Sequence, residues 1–165
     1  MIFTHDTMGD IFYILELSIG VPQIEEHHPE GDVFSHLLQT YFWALRESSD
    51  TDLILAALLH DVGKACLQKD HVSQSVEMIR PYVSPKTEWL VSQHMRVWAL
   101  IKGDMRRPGK VKTLHSHVWF ADLVLLARWD HLARNPRKKV TYDKDRIMDQ
   151  LNRRGMEDYK WPMSK

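Results

Sequence analysis

Apolar positions recur along the chain mainly at helical spacing, and β-branched runs alternating with period two are scarce. Residues 10–18 are apolar on most sides and stop at Gly20 and Pro22, which predicts a first helix. Residues 33–46 place Leu37, Leu38, Tyr41, Phe42 and Leu45 on one broad stripe. Residues 52–60 are apolar almost all round, so this helix is expected at the centre, capped by Asp50 or Thr51. Residues 71–80 predict a short helix ended by Pro81. Ser84 and Pro85 read as N-cap and first helical position of a helix reaching about Ile101, with Glu88 in its first turn. A polar loop with Gly103, Pro108 and Gly109 is expected next. Residues 120–134 predict the last strong helix, ended by Asn135 and Pro136, and a weaker one is expected over 143–154, closed by Gly155. The pattern predicts an all-α bundle of six to eight helices.

With 165 residues, 44% of them apolar, and no repeat, low-complexity tract or linker, the chain is expected to form one domain, 1–165. A single cysteine excludes an internal disulfide framework, and Cys66 reads as a buried apolar residue. No signal pattern opens the chain, and no apolar run approaches the roughly 20 residues that span a bilayer. The expected location is cytoplasmic, without a membrane partner. The 22 basic residues balance 22 acidic ones, so no net field draws the protein to nucleic acid or anionic lipid. The local distribution is uneven. Residues 1–45 hold acids but no Lys or Arg, whereas 96–112 hold Arg96, Lys102, Arg106, Arg107, Lys110 and Lys112 against Asp104 alone. That stretch is either a solvated face or a basic rim that attracts an anionic substrate.

The ten histidines carry the sharper signal. His60 and Asp61 end the most apolar helix, where two ionisable groups are costly to bury unless partnered. A divalent cation is one such partner, since it accepts a neutral imidazole and a carboxylate together. Backbone groups, or each other, are the alternative. The pair has company. His36 lies at the edge of an apolar stripe, His71 opens the helix after the Gly63 turn, and His94 sits inside an apolar helix. Leu123, Leu126 and Ala127 stand three to seven positions before Asp130, which puts that carboxylate on a core-facing stripe. Six candidate N and O donors on five helices can converge on one or two metals. Asp122 competes with Asp130, but near a helix start a carboxylate is favoured without any metal.

The order His … His-Asp … Asp resembles the HD superfamily of metal-dependent phosphohydrolases. Three stretches carry the resemblance: His28-Pro-Glu-Gly-Asp-Val-Phe-Ser-His36, Ala57-Leu-Leu-His-Asp-Val-Gly-Lys64 and Leu125-Leu-Ala-Arg-Trp-Asp-His-Leu-Ala-Arg134. The first two, with Val91-Ser-Gln-His-Met95, look like the HD domain attached to bacterial CCA-adding tRNA nucleotidyltransferases, here without a nucleotidyltransferase head. The motif-bearing core runs over about 28–136, with 137–165 as a C-terminal extension. The resemblance implies His36, His60, Asp61 and Asp130 as core metal ligands, with His71 and His94 completing a second metal position. The cofactor implied is one or two divalent ions (Mn, Co, Fe, Zn or Mg), and the implied substrate is a small anionic phosphoester, nucleotide-like or otherwise. In such chemistry Asp61 orients or bridges, while Lys64 and Arg96 contact the phosphate.

A second branch is also similar. Arg128-Trp-Asp-His-Leu-Ala133 resembles the last motif of HD-fold di-iron oxygenases, which use all six positions as ligands. Lys64 stands where the phosphonate-cleaving members have a second histidine, and the glutamate that HD nucleotidases carry after their His-Asp pair is absent. A non-catalytic binding fold is disfavoured, because no core ligand position is missing. Among the other histidines, His27, His28, His115, His117 and His131 are expected in cap or surface roles, and Trp43, Trp89, Trp98, Trp119 and Trp129 in core or cleft walls.

Overall fold

The computed structural model describes residues 3–66 and 68–157. Eight α-helices account for the described chain: α1 (His5–Glu16), α2 (Val33–Glu47), α3 (Thr51–Leu59), α4 (His71–Ile79), α5 (Pro85–Ile101), α6 (Pro108–His115), α7 (Phe120–Leu132) and α8 (Lys144–Glu157). Three 3-10 segments, Val62–Ala65, Gln68–Asp70 and Arg80–Tyr82, join them, and no strand occurs among the described residues. The all-α expectation holds.

Helix α3 is the axis of the bundle because its sequence leaves it no polar face. Leu53, Ile54, Leu55, Ala56, Ala57, Leu58 and Leu59 are all buried, and α2, α5, α7 and α8 pack around them. Each of its leucines contributes roughly 1.5–3 kcal/mol by leaving water. The caps are side chains visible in the sequence. Asp50 accepts from the backbone N–H groups of Asp52 and Leu53, Ser84 from that of Thr87, and Asp32 from that of Ser35. Asp32 also accepts from Gly20 N–H at 2.7 Å, which ties the end of the first loop to the start of α2.

Three boundaries differ from the sequence reading. Helix α1 begins at His5, not near residue 10, because Thr4 caps it through the N–H of Thr7. The loop expected around Pro108 contains α6, where Pro108 takes the first turn and Leu114 alone is buried. One buried contact in eight residues is too little periodicity to read. Helix α8 continues to Glu157, past the stop expected at Gly155, after Asp143 accepts from the N–H of Arg146.

One glycine decides how the centre closes. A Cβ on Gly63 would lie 2.1 Å from the His71 carbonyl oxygen and 2.5 Å from the Ser75 nitrogen. Only glycine lets the 3-10 turn after Asp61 press directly on the start of α4. The Gly63 N–H then donates to Ser75 Oγ at 2.8 Å. Cys66, at the outer end of this turn, is exposed and not buried as expected, since Val62 and Gly63 take the inward positions.

Candidate metal centre

Each candidate ligand is delivered by a different element. His36 comes from α2, His60 is the C-cap of α3, and Asp61 opens the 3-10 turn. His71 begins α4, His94 lies mid-way along α5, and Asp130 is near the end of α7. The structure brings all six together. His36 Nε2 stands 3.0 Å from Asp130 Oδ1, and His60 Nε2 stands 3.9 Å from the same oxygen and 3.6 Å from Asp61 Oδ2. The Nε2 atoms of His71 and His94 each lie 3.3 Å from Asp61 Oδ1. The donors therefore form two triads, His36–His60–Asp130 and Asp61–His71–His94, the atoms of each within 4.8 Å of one another. Asp61 belongs to the second triad and not with His36, His60 and Asp130, although its Oδ2 lies 3.6 Å from His60 Nε2.

The far side of three of the four rings is occupied by an acceptor. His60 Nδ1 faces the Ala57 carbonyl at 3.1 Å and His94 Nδ1 faces the Val91 carbonyl at 2.6 Å. His36 Nδ1 faces Glu30 Oε1 at 2.6 Å. A proton held on Nδ1 leaves the Nε2 lone pair turned inward, the tautomer a metal ligand needs. At the centre the Nε2 atoms of His36, His60 and His94 and Asp61 Oδ1 are buried and make no well-aligned hydrogen bond. Buried polar atoms left so are expensive. This imidazole and carboxylate set suits a first-row divalent cation, and the residues present fit the group.

Electrostatics follow from the same contacts. Burial pushes the His36 imidazole down, but Asp130 and Glu30 on its two edges overcome it and raise its pKa to about 9. His60 is lowered to about 4, because burial outweighs its more distant carboxylates. Burial works against the charged forms of Asp61 and Asp130, yet the imidazoles facing them hold both well below the usual carboxylate range. Lys64 Nζ adds to this at 2.6 Å from Asp61 Oδ2, and it also donates to Gln23 Oε1 at 3.0 Å.

The triads open into a cavity of about 430 Å³. Lys64, Trp98, Lys102, His131 and Arg134 contribute to its wall. Arg96 does not. It is exposed, bonded to Gln93 Oε1 at 2.8 Å, and lines a separate open cleft with Arg106, Arg107 and Lys110. On a helix, a residue two positions beyond His94 points about 200° away from it, so Arg96 cannot share the face of that ligand. Asp122 likewise turns outward and pairs with Lys86 at 2.7 Å.

Sequence reasoning missed three supporting groups. Glu30 is buried in the loop before α2 and accepts from His36 and from His28, whose Nδ1 lies 3.0 Å away. Burial pushes its carboxyl up, but these imidazole donors bring it down to about 2. Its one signal was its place between His28 and His36. Trp98 Nε1 donates to Asp130 Oδ2 at 2.9 Å, which turns Oδ1 toward the imidazoles. Arg134 reaches the same carboxylate at 3.8 Å.

The HD domain model matches residues 33–147, a span that contains every ligand of both triads. The chain belongs to the HD family. Membership places it in a superfamily of metal-dependent phosphohydrolases. Two relatives are both called "Multifunctional CCA protein". The one from Burkholderia vietnamiensis (strain G4 / LMG 22486) is 36% identical over 69 residues, covering 38% of this chain and 17% of its own length. That of Actinobacillus pleuropneumoniae serotype 5b (strain L20) is 34% identical over 90 residues, covering 50% of this chain and 22% of its own. The match thus spans under a quarter of either relative. Among the described residues of this HD chain, no helix is long and apolar enough to cross a membrane.

Proposed function

We propose that this HD protein hydrolyses a small phosphoester, nucleotide-like or otherwise, at a two-position metal centre. His36, His60 and Asp130 would hold one divalent ion and Asp61, His71 and His94 the other. The observation that supports this reading is the convergence of buried inward-facing donors on a cavity whose outer wall carries cations. When bound, such ions polarise a phosphoryl oxygen and make water a competent nucleophile near neutral pH.

The chain's own residues have separable roles. Lys64, held against Asp61, presents positive charge to the phosphoryl group. Glu30 orients His36, and Trp98 orients Asp130. Hydrolysis adds water across one P–O bond: the water oxygen goes to phosphorus and a proton to the departing oxygen.

A di-iron oxygenase is the second reading, favoured by the completeness of the Asp61–His71–His94 triad. Metal analysis of protein purified without added metal, with phosphate release and oxygen uptake measured on one phosphoester panel, separates the two. Hydrolysis is supported by phosphate release that continues anaerobically; oxygen consumption stoichiometric with substrate loss supports the oxygenase. His94→Ala lowers turnover on the order of 10²-fold in the hydrolase, the loss typical of one positioned group. In the oxygenase the same change removes one iron and all activity.

A further inference from the structure

The outer wall of the cavity holds two further cations: Lys102, which makes no contact with the triads, and Arg134, which reaches them only through the 3.8 Å edge of Asp130. Lys102, just beyond the end of α5, places Nζ 6.0 Å from the Trp98 ring centroid. Arg134, just beyond the end of α7, places its guanidinium carbon 5.9 Å from the same centroid. Two separate helices thus bring like charges to one ring on one cavity wall. Their compensation is thin. Lys102 has no ion pair among the described residues, and the guanidinium of Arg134 touches only the 3.8 Å edge of Asp130. That carboxylate already faces His36 and accepts from Trp98. Arg134 Nε is moreover buried and donates no hydrogen bond. Lys102 is exposed and needs no partner of its own, but the buried, unused N–H of Arg134 carries a cost that an entering anion would remove.

Resting on the hydrolase reading above, we propose that Lys102 and Arg134 form a second anion subsite, so that the preferred substrate is a phosphomonoester carrying a second phosphate. The reacting phosphate lies against the two triads and the other is held by the Lys102 ammonium and the Arg134 guanidinium. Guanidinium suits this task, since its planar donors pair two phosphate oxygens at once, and the lysine supplies a mobile point charge opposite. Trp98 meets both cations across its ring, while its own N–H is committed to Asp130. The two subsites share one cavity, and its volume of about 430 Å³ lies in the range of small-molecule sites.

The test uses two matched pairs of probes: adenosine 3′,5′-bisphosphate against adenosine 5′-monophosphate, and fructose 1,6-bisphosphate against fructose 6-phosphate. Calorimetric titration into metal-free protein is expected to show the bisphosphate of at least one pair binding about tenfold more tightly. Lys102→Gln is expected to reduce that preference to about threefold, and Lys102→Gln with Arg134→Gln to abolish it. Lys102 touches no candidate ligand, so the single variant reads the subsite even if the double variant disturbs Asp130. Equal affinities within both pairs, or a preference undiminished in Lys102→Gln, overturns the proposal. In metal-loaded protein the ratio of kcat/KM within the preferred pair should fall by the same factor in Lys102→Gln. Absence of phosphate release from all four probes counts against the hydrolase reading, whereas the binding preference tests the subsite by itself.

Discussion

At the junction of α2, α3, α5 and α7, His36 and His60 are fully buried and Asp61 and Asp130 nearly so. Along 96–112, six cations stand exposed, and only Lys102 reaches the cavity of the centre. Both regions stand out in the sequence. The difference between them lies in what each would cost if left alone. A solvated arginine needs no partner, so a run of them carries little information about a site. A buried imidazole facing a buried carboxylate without a well-aligned hydrogen bond carries a desolvation penalty that some partner must offset. The burial of charge, not its density, separates the candidate site from the surface.

The largest effect that would break this contrast belongs to Asp61. Asp61→Ala should remove bound metal and lower phosphoester turnover by at least about 10³-fold. Its far-UV circular dichroism should stay helical, since the apolar core around α3 is unchanged, with a loss of stability from leaving Lys64 without its carboxylate. Metal content equal to wild type would disconnect the triads from metal altogether.

Glu30 offers a graded version. Replacing it with Ala leaves His36 Nδ1 without its acceptor and should weaken metal affinity about 100-fold. Glu30→Gln keeps an acceptor oxygen but loses the charge, and about a tenfold loss is expected in competition with a chelating dye. Identical affinities for the two variants would mean that Glu30 does not act through His36.

pH sharpens the comparison in metal-free protein. His36 is raised from 6.5 to about 9 in the fold, so the native state retains a proton that the unfolded chain releases between those values. Stability from this group is fully present below about pH 6.5 and is lost as pH rises through about 9, on the order of 3 kcal/mol in all. Urea unfolding at about pH 6 and about pH 9.5 should show that loss, and His36→Asn should reduce it, leaving a smaller part from His94, which Asp61 raises against its burial. A slope undiminished in the variant would place the charge elsewhere. The smallest effect is expected on the exposed stretch. Arg106→Gln with Arg107→Gln should change stability by no more than about 0.5 kcal/mol and leave metal content alone.

Helix positions were legible wherever the pattern was strong. The uniform apolarity of 53–59 made α3 central, and Asp50, Ser84 and Pro85 marked starts that the structure keeps. Helix α6 escaped because it buries only Leu114, and the true start of α1 was hidden in Thr4, whose capping oxygen lies well before the apolar run. In the centre, Asp130 could be told from Asp122 by the leucines that precede it, and the structure turns Asp122 to Lys86. Arg96 was misjudged because nearness to His94 in sequence is not nearness on a helix surface.

By itself, the sequence determined the all-α architecture and the inventory of donors, because helical periodicity, caps and residue chemistry are local properties. The pairing of donors was decided only by tertiary structure. That Asp61 joins His71 and His94, and that Arg134 of one helix end meets Trp98 of another, depend on helices meeting far along the chain, whereas Glu30 backs His36 only six residues away. Gly63 shows why. Its missing Cβ is plain in the sequence, but the close approach of α4 that it permits exists only once the helices have packed, where a Cβ would stand 2.1 Å from the His71 carbonyl oxygen and hold that residue off the centre.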